Sequence, residues 1–180
     1  MKEKYELRLS GAGGQGLMLA GLILAEAAGV YDGKNVVQTQ SYGPEARGGA
    51  SKSEVVISEG EIDYPKVVNP DILLALTQEA CDKYYPELKE GGTLIVDSFY
   101  VKKLPPYKKV VSVPITSIAE KEVGRKVVAN IVALGVITEF TGVVSREAIK
   151  EAVLSRVPKG TEKMNEKALE VGFRIGRESR

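Results

Sequence analysis

The sequence predicts an α/β fold with a mostly parallel sheet and a helical C-terminal portion. Three observations predict it. Before residue 115, short apolar segments alternate with longer segments of helical character, which is the pattern of a parallel sheet with crossover helices. From residue 115 onward the chain has helical character throughout. The length of 180 residues suits one domain, residues 1–180, with a substantial core.

Six segments have the character of β-strands. They are short, apolar or alternating, and bordered by turn residues. Two of them are continuous apolar runs, which are typical of strands buried on both faces. The predicted strands are 5–10, 35–40, 53–58, 71–76, 93–97 and 110–113. We expect a loop at 41–51, a turn or hairpin at 59–61, and a proline-containing connection at 98–108.

Helices are predicted between and after these strands. Thr77 and Ser145 stand where helices begin, and their hydroxyl groups are suited to accept hydrogen bonds from free N–H groups of the first turn. The helix after Thr77 is expected to end near Leu88, before a pair of glycines. The other predicted helices are 15–28, 115–123, 125–140, the segment from Ser145 to about 153, and the segment from Thr161 to the basic end.

Composition excludes several kinds of chemistry from this chain. It holds one cysteine, Cys81, and no histidine, which rules out an internal disulfide, a cysteine-ligated iron–sulfur cluster, a histidine-containing zinc site and a histidine-based triad. If the chain serves an enzyme, the demanding chemistry therefore lies on a cofactor or another subunit.

The charge balance and hydropathy are ordinary. The net charge is +1, with 43% hydrophobic and 27% charged residues, so no strong attraction to nucleic acid or membranes is expected. The sequence shows no secretory signal, and no apolar run reaches the roughly 20 residues that a membrane span needs. We expect a cytoplasmic protein.

The most informative segment is the glycine-rich turn at residues 11–16. Gly11, Gly13 and Gly16 have the G-x-G-x-x-G spacing between the first predicted strand and the first predicted helix, as in a Rossmann-like fold. Such a turn brings backbone N–H groups at a helix N-terminus toward a phosphate. The second predicted strand lacks the acidic residue that holds the ribose of NAD. This disfavours a nicotinamide site and favours another phosphate-bearing ligand or a partner chain. The alternative is that the glycines only permit close packing.

A second signature lies in the loop after the second predicted strand. Tyr42, Glu45 and Arg47 stand there among Gly43, Pro44, Gly48 and Gly49. By itself this segment is explained by a surface loop with a weak Glu–Arg ion pair. Combined with the first glycine turn, it gives a more specific pattern.

The two glycine segments, 11–16 and 41–49, resemble the gamma subunit of the 2-oxoacid:ferredoxin oxidoreductases, and most closely the 2-oxoglutarate branch. The resemblance continues through Pro70-Asp71, Asp97-Ser98, the segment 130–135 and the segment 165–168, so it extends over nearly the whole chain. Subunits of the pyruvate, branched-chain and indolepyruvate enzymes are alternatives within the family. A stand-alone nucleotide-binding or regulatory module, or a stand-alone dehydrogenase, is the alternative outside it.

The resemblance implies a subunit that is inactive alone. Enzymes of this family decarboxylate a 2-oxoacid oxidatively, form an acyl-coenzyme A and pass electrons to ferredoxin; 2-oxoglutarate would give succinyl-coenzyme A. The resemblance places thiamine diphosphate, magnesium and the iron–sulfur clusters on partner chains, namely alpha, beta and in many enzymes a ferredoxin-like delta subunit. For this chain itself it implies at most a contact with coenzyme A.

We identify no catalytic or metal-binding residue, and eight candidates for ligand binding. Four are glycines of the first turn, and the N–H groups of Gly13, Gly14 and Gly16 would face a phosphate of coenzyme A. Arg47 would pair with an anion or with an acidic residue of a partner. The candidates are Gly11, Gly13, Gly14, Gly16, Tyr42, Glu45, Arg47 and Asn130. Contact with a ligand and contact with a partner subunit alone remain equal alternatives. Asp97 is expected to cap a turn, Gly135 to allow close helix packing, and Cys81 to be a buried thiol.

Overall fold

In the computed structural model, six strands form one mixed sheet with helices on both faces. The structure describes residues 2–41, 50–107 and 109–180. The strands lie in the order β2-β3-β1-β4-β5-β6. They are β1 (Lys4–Gly11), β2 (Asn35–Ser41), β3 (Ser51–Ser58), β4 (Ile72–Ala75), β5 (Thr93–Asp97) and β6 (Val110–Val113). The helices are α1 (Leu17–Glu26), α2 (Gln78–Tyr84), α3 (Ile115–Ile118), α4 (Ala129–Thr141), α5 (Arg146–Arg156) and α6 (Glu162–Glu178).

The sheet is mostly parallel, which confirms the predicted α/β class. β1, β4, β5 and β6 pair in parallel. β3 runs opposite to its neighbours β1 and β2. Of the turn or hairpin expected at 59–61, the hairpin is wrong, because β3 is followed by β4, which pairs with β1 on the far side. The antiparallel β2–β3 pair was not foreseen, since an apolar strand pattern carries no direction.

Helix boundaries differ from prediction where the helical geometry changes. A π-helical turn, Ala27–Tyr31, extends α1, and another, Ala119–Val123, extends α3. A 3-10 turn, Lys126–Val128, precedes α4. The two predicted caps are confirmed: the Thr77 hydroxyl accepts from the N–H of Ala80 at 3.2 Å, and the Ser145 hydroxyl accepts from the N–H of Ala148 at 3.1 Å.

The sheet separates a large core from a small one. In β4, Ile72 and Leu74 face the large core with α1, α4, α5 and α6, while Leu73 and Ala75 face the small core with α2. This alternation of fully apolar side chains confirms that β4 is buried on both faces. No helix in the described ranges is long and apolar enough to cross a membrane.

Helices α4 and α6 contact each other at a glycine in each helix, Gly135 in α4 and Gly172 in α6. A Cβ on Gly135 would lie 2.5 Å from the Leu169 carbonyl oxygen and 2.8 Å from the Cα of Gly172. The absence of side chains at these two positions lets the backbones touch, so the prediction that Gly135 permits close helix packing is confirmed. The contact fixes how α6 is placed against α4, whose N-terminus lies at the candidate site.

Arg8 is a buried charge in the middle of the sheet. It is 1% exposed, donates to Glu54 Oε2 at 3.0 Å and to the Val67 carbonyl at 3.1 Å, and pairs with the Glu87 carboxylate. Its guanidinium carbon lies 5.1 Å from the centroid of the Tyr84 ring. With its donors satisfied in this way, Arg8 has a structural role.

The only cysteine, Cys81, is a buried thiol as predicted. Burial raises the pKa of the thiol to about 11, so the thiolate that reacts with disulfide reagents is scarce at pH 8. We expect the folded chain to react with an aromatic disulfide reagent only at the rate of unfolding, and to release one equivalent at once in urea. Immediate reaction of the folded chain at pH 8 would contradict this placement.

Candidate ligand-binding site

The candidate site lies where the chain changes direction across the sheet. After β1 the chain builds β3 and β2 on one side of β1, and β4 then starts the other side. In open α/β sheets the crevice outside the carboxyl ends of two such strands is where ligands bind. Here the glycine turn follows β1, and Leu76 and Thr77 follow β4. The Leu76 N–H donates to the Ser10 carbonyl at 2.9 Å, which holds the two strand ends together.

The glycine turn has a backbone shape that glycine permits. Gly14 and Gly16 have φ of 86° and 72°, in the left-handed region that costs other residues about 1–2 kcal/mol. The Gln15 side chain stabilises the turn with two hydrogen bonds. Its Oε1 accepts from the Ala12 N–H at 2.7 Å, and its Nε2 donates to the Leu76 carbonyl at 3.5 Å. Gln15 thereby ties the turn after β1 to the end of β4.

Three N–H groups of the turn make no hydrogen bond within the described part of the chain. They belong to Gly13, Gly14 and Gly16. A Cβ added at Gly13 or Gly14 would meet nothing within 4 Å, so the space beside them is open. Gly16 is the N-cap of α1 and offers no side chain to the first turn. Free N–H groups at the positive end of a helix favour an anion.

The buried side chain of Asn130 is hydrogen-bonded to the glycine turn. Its side chain is 5% exposed, and its Nδ2 donates to the Gly16 carbonyl at 3.2 Å while its Oδ1 accepts from the Ile131 N–H at 3.0 Å. A Cβ on Gly16 would run into the Asn130 amide. The structure therefore brings Asn130 together with the glycine turn, 114 residues apart in sequence.

Two clefts flank the turn and share Gly14 and Val127 as walls. The first, of about 240 Å³, has polar, apolar and aromatic side chains in its walls, and the second, of about 320 Å³, is mostly apolar. The first is lined by Gly14, Gln15, Leu76, Tyr100, Thr116, Lys126, Val127 and Ala129. Side chains of the second include Leu19, Ile131, Val157, Pro158 and Met164.

The described residues on either side of the second glycine segment lie near the first glycine segment. Its flanking residues Ser41 and Ser51 stand at the same edge of the sheet as Gly11, and Ser51 pairs with Gly11. The Ser51 hydroxyl donates to the Gly11 carbonyl at 3.5 Å. The candidates Tyr42, Glu45 and Arg47 themselves lie outside the described residues.

Asp97, at the end of β5, acts as a cap, as expected. It is fully buried; one carboxylate oxygen accepts from the Phe99 N–H at 3.0 Å, and the other accepts from the Thr116 N–H at 3.2 Å and the Thr116 hydroxyl at 2.6 Å. These bonds fix the connection after β5 against α3, which builds the far wall of the first cleft.

Three wall residues of the first cleft were not among the candidates predicted from the sequence: Gln15, Tyr100 and Lys126. Gln15 stands inside the motif, three positions after Ala12, and this spacing could have suggested the bond to the Ala12 N–H. Tyr100 and Lys126 reach the site only through the fold, and no local pattern indicates them. In the ranges that the structure describes, no group of three or more His, Cys, Asp or Glu side chains could hold a metal ion.

Comparisons with known proteins agree with this architecture. The family model described as pyruvate ferredoxin/flavodoxin oxidoreductase matches residues 6–175. The 2-oxoglutarate synthase subunit KorC of Methanocaldococcus jannaschii is 52% identical over 99% of this chain and 97% of its own length.

Two solved structures have the same fold as this chain. The gamma subunit of the keto/oxoacid ferredoxin oxidoreductase from Geobacter sulfurreducens PCA matches with a TM-score of 0.91 at 57% identity, over 99% of both chains. A 2-oxoglutarate:ferredoxin oxidoreductase from Magnetococcus marinus, solved with 2-oxoglutarate, coenzyme A and succinyl-CoA, matches with a TM-score of 0.85 at 22% identity. That match covers 99% of this chain and 32% of the longer one, and it shows the fold alone.

Proposed function

The chain belongs to the pyruvate ferredoxin/flavodoxin oxidoreductase family, and from that membership we propose that it serves as the gamma subunit of a 2-oxoglutarate:ferredoxin oxidoreductase. The observation that carries the proposal is the match to KorC, a 2-oxoglutarate synthase subunit, over nearly the full length of both chains. The resemblance drawn from the sequence to the gamma subunit of this family is confirmed.

The proposed complex oxidises 2-oxoglutarate, joins the resulting succinyl group to coenzyme A, releases carbon dioxide and passes two electrons to ferredoxin. With one cysteine and no histidine, this chain has few groups for redox or acid–base work. We assign thiamine diphosphate, magnesium and the iron–sulfur clusters to alpha, beta and delta partner subunits. The role left to this chain is to bind and to orient.

The glycine turn is the part of the chain that we assign to coenzyme A. Coenzyme A supplies the thiol that takes up the acyl group. The fit rests on the N–H groups of Gly13 and Gly14, which have no hydrogen-bond partner among the described residues, and on the open space beside them, which a phosphate can enter without moving the backbone. Gln15 and Asn130 hold the turn in that shape. In the same proposal Arg47 pairs with an anion of the ligand or of a partner, and Tyr42 and Glu45 shape their loop.

The substrate branch is tested by kinetics on the assembled complex. The complex is assayed with 2-oxoglutarate, pyruvate and a branched-chain 2-oxoacid, each with coenzyme A and a viologen dye as electron acceptor. We expect the highest kcat/KM with 2-oxoglutarate. A preference for pyruvate or for the branched-chain acid would move the chain to a sister branch of the family.

Gly13→Asp is expected to raise the KM for coenzyme A at least about tenfold. Two like charges 4 Å apart repel by roughly 4 kcal/mol near a protein surface, and every 1.4 kcal/mol is about tenfold in affinity. The KM for 2-oxoglutarate is expected to stay within about twofold, which is well below the tenfold change that 1.4 kcal/mol of binding free energy would produce. Initial-rate kinetics on the complex measure both constants.

Gly13→Asn is the matched control, because it adds nearly the same volume without charge. Gly13 has ordinary backbone geometry and open space at its Cβ position, so both variants fold without strain. An equal KM for coenzyme A in the two variants would contradict the phosphate contact. If Gly13→Asp instead released the chain from the complex, the turn would be a subunit interface, the alternative left open by the sequence.

A further inference from the structure

We propose that two copies of this chain associate through β2, so that their two sheets join into one across a two-fold axis. The contact surface consists of the outer edge of β2 (Asn35–Ser41) and the neighbouring side of α1, formed by Met18, Leu22 and Ala25. We call it the β2–α1 surface. The inference goes beyond the proposed function, because it concerns how copies of the chain assemble and holds for any substrate.

The two edges of the sheet differ in how well they are protected against pairing with another chain. β2 and β6 are the outermost strands. β6 has four residues and ends before Pro114, and short edge strands and prolines block such pairing. β2 has seven residues, Asn35–Ser41, without charge, proline or glycine. Among the described residues no strand lies beyond β2, so this edge is suited to a strand from another chain.

The charged residue nearest to β2 in the sequence, Lys34, is held on the inner side of the strand. Its Nζ lies 3.4 Å from Glu59 Oε1 and donates to the Val143 carbonyl at 3.3 Å. Glu59 directly follows β3, the inner neighbour of β2. Lysine protects an edge strand when its charge stands at the open edge. With partners in its own chain, Lys34 does not oppose pairing at the outer edge of β2.

Helix α1 is apolar on every side but is covered only on some of them. From Leu17 to Ala25 it has no polar side chain, which is typical of a helix that is enclosed on all sides. Met18 is nevertheless 41% exposed, and Leu22 and Ala25 are only partly buried. Because these three residues stand at i, i+4 and i+7, they lie on one side of the helix. This side is suited to contact with another apolar surface.

The uncovered side of α1 lies at the same edge of the sheet as β2. A Cβ on Gly21 would lie 3.4 Å from Gln38 Nε2, and a Cβ on Gly29, in the π-helical turn, would lie 2.7 Å from Val36 Cγ1. The helix and its extension therefore pack on β2 itself. Val30, in the same π-helical turn, is 70% exposed and continues the apolar surface.

A second copy of the chain covers both parts of this surface with one contact. If two β2 strands pair antiparallel over their full length, Gln38 faces its counterpart and Val37 faces Thr39 of the other copy. The two-fold axis then brings the uncovered sides of both α1 helices together on one face of the joined sheet. Self-pairing places identical strands side by side, so it requires that no like charges meet. The uncharged β2 meets this requirement.

The oligomeric state of the purified full-length chain, measured by analytical ultracentrifugation, tests the proposal. We expect the wild type to be a dimer. Thr39 is exposed, and both Thr39→Lys and Thr39→Glu are expected to weaken the dimer at least about tenfold, because like charges on diagonal cross-strand partners repel. An equimolar mixture of the two variants is expected to dimerise again, because each lysine then meets a glutamate of the other copy.

Two further variants give the control and test the helix. Ser112→Lys puts the same charge at an exposed position of β6, the opposite edge strand, and is expected to leave the dimer unchanged. Met18→Lys leaves β2 intact and is expected to weaken the dimer at least about tenfold, because an ammonium would be buried in an apolar contact. Circular dichroism checks that each variant is folded.

The outcomes separate this inference from the proposed function. A monomeric wild type, a Thr39→Lys variant that dimerises like the wild type, or a mixture of the two Thr39 variants that stays monomeric would each overturn the second copy. If the wild type is monomeric and the Thr39→Lys chain no longer enters the complex, the β2–α1 surface binds a partner subunit instead. Oxidation of 2-oxoglutarate by the complex tests the proposed function independently of these results.

Discussion

Gly172→Ala is expected to lower the free energy of unfolding by about 2–3 kcal/mol, the usual range for overpacking. The new Cβ would collide with the Val132 carbonyl oxygen and lie 2.8 Å from the Cα of Gly135. Both obstacles are backbone atoms of α4, so no side-chain rotation relieves them, and α6 must move away. The loss exceeds the roughly 1 kcal/mol that alanine gains over glycine in a helix.

Urea unfolding of the variant, followed by circular dichroism, measures this loss. Glu170→Ala is the control, because Glu170 lies on the exposed face of the same helix; it is expected to change stability by less than about 0.5 kcal/mol. A Gly172→Ala variant at least as stable as the wild type would show that helix propensity dominates and that α4 and α6 are not in backbone contact.

Gly16→Ala is expected to cost about 2–5 kcal/mol of stability through two separable effects. Alanine at a φ of 72° costs about 1–2 kcal/mol of backbone strain, and overpacking against another group adds about 1–3 kcal/mol. That group is the Asn130 amide, whose Cγ would lie 3.0 Å from the new Cβ. The turn is expected to shift as well, which raises the KM for coenzyme A in the assembled complex.

A double-mutant cycle with Asn130→Ala separates the two effects. Removing the amide relieves the collision and leaves the strain, so Gly16→Ala is expected to cost about 1–3 kcal/mol less in that background. Gly13→Ala, at an open position of the same turn, is the control and is expected to be nearly neutral. Equal costs for the Gly13 and Gly16 variants would contradict the geometry described for the turn.

Local chemistry made part of this structure predictable from the sequence. The spacing of Gly11, Gly13 and Gly16 encodes a turn between strand and helix, and Thr77 and Ser145 mark helix starts through bonds three residues long. The fully apolar β4 shows burial on both faces without further information. Each of these inferences depends on residues close together in the chain.

Features set by distant partners could not be predicted in this way. Arg8 alternates with apolar neighbours like a solvent-facing strand residue, yet its partners Glu54, Val67 and Glu87 are 46, 59 and 79 residues away. The reversed direction of β3 depends on which strands it joins. Asn130 was a candidate only because of the family resemblance, and its hydrogen bond joins it to Gly16, 114 residues away in the sequence. Lys126 and Tyr100 became site residues only once the sheet order was known.

The central claim, that this chain is a working subunit of a 2-oxoglutarate-oxidising complex, is tested most directly by affinity purification of the tagged chain from its native host. Mass spectrometry then identifies the chains that accompany it, and dye reduction is measured with 2-oxoglutarate and coenzyme A. We expect a brown complex that contains thiamine- and cluster-binding chains and reduces the dye only when both substrates are present. A colourless chain, recovered alone and inactive, would contradict the account.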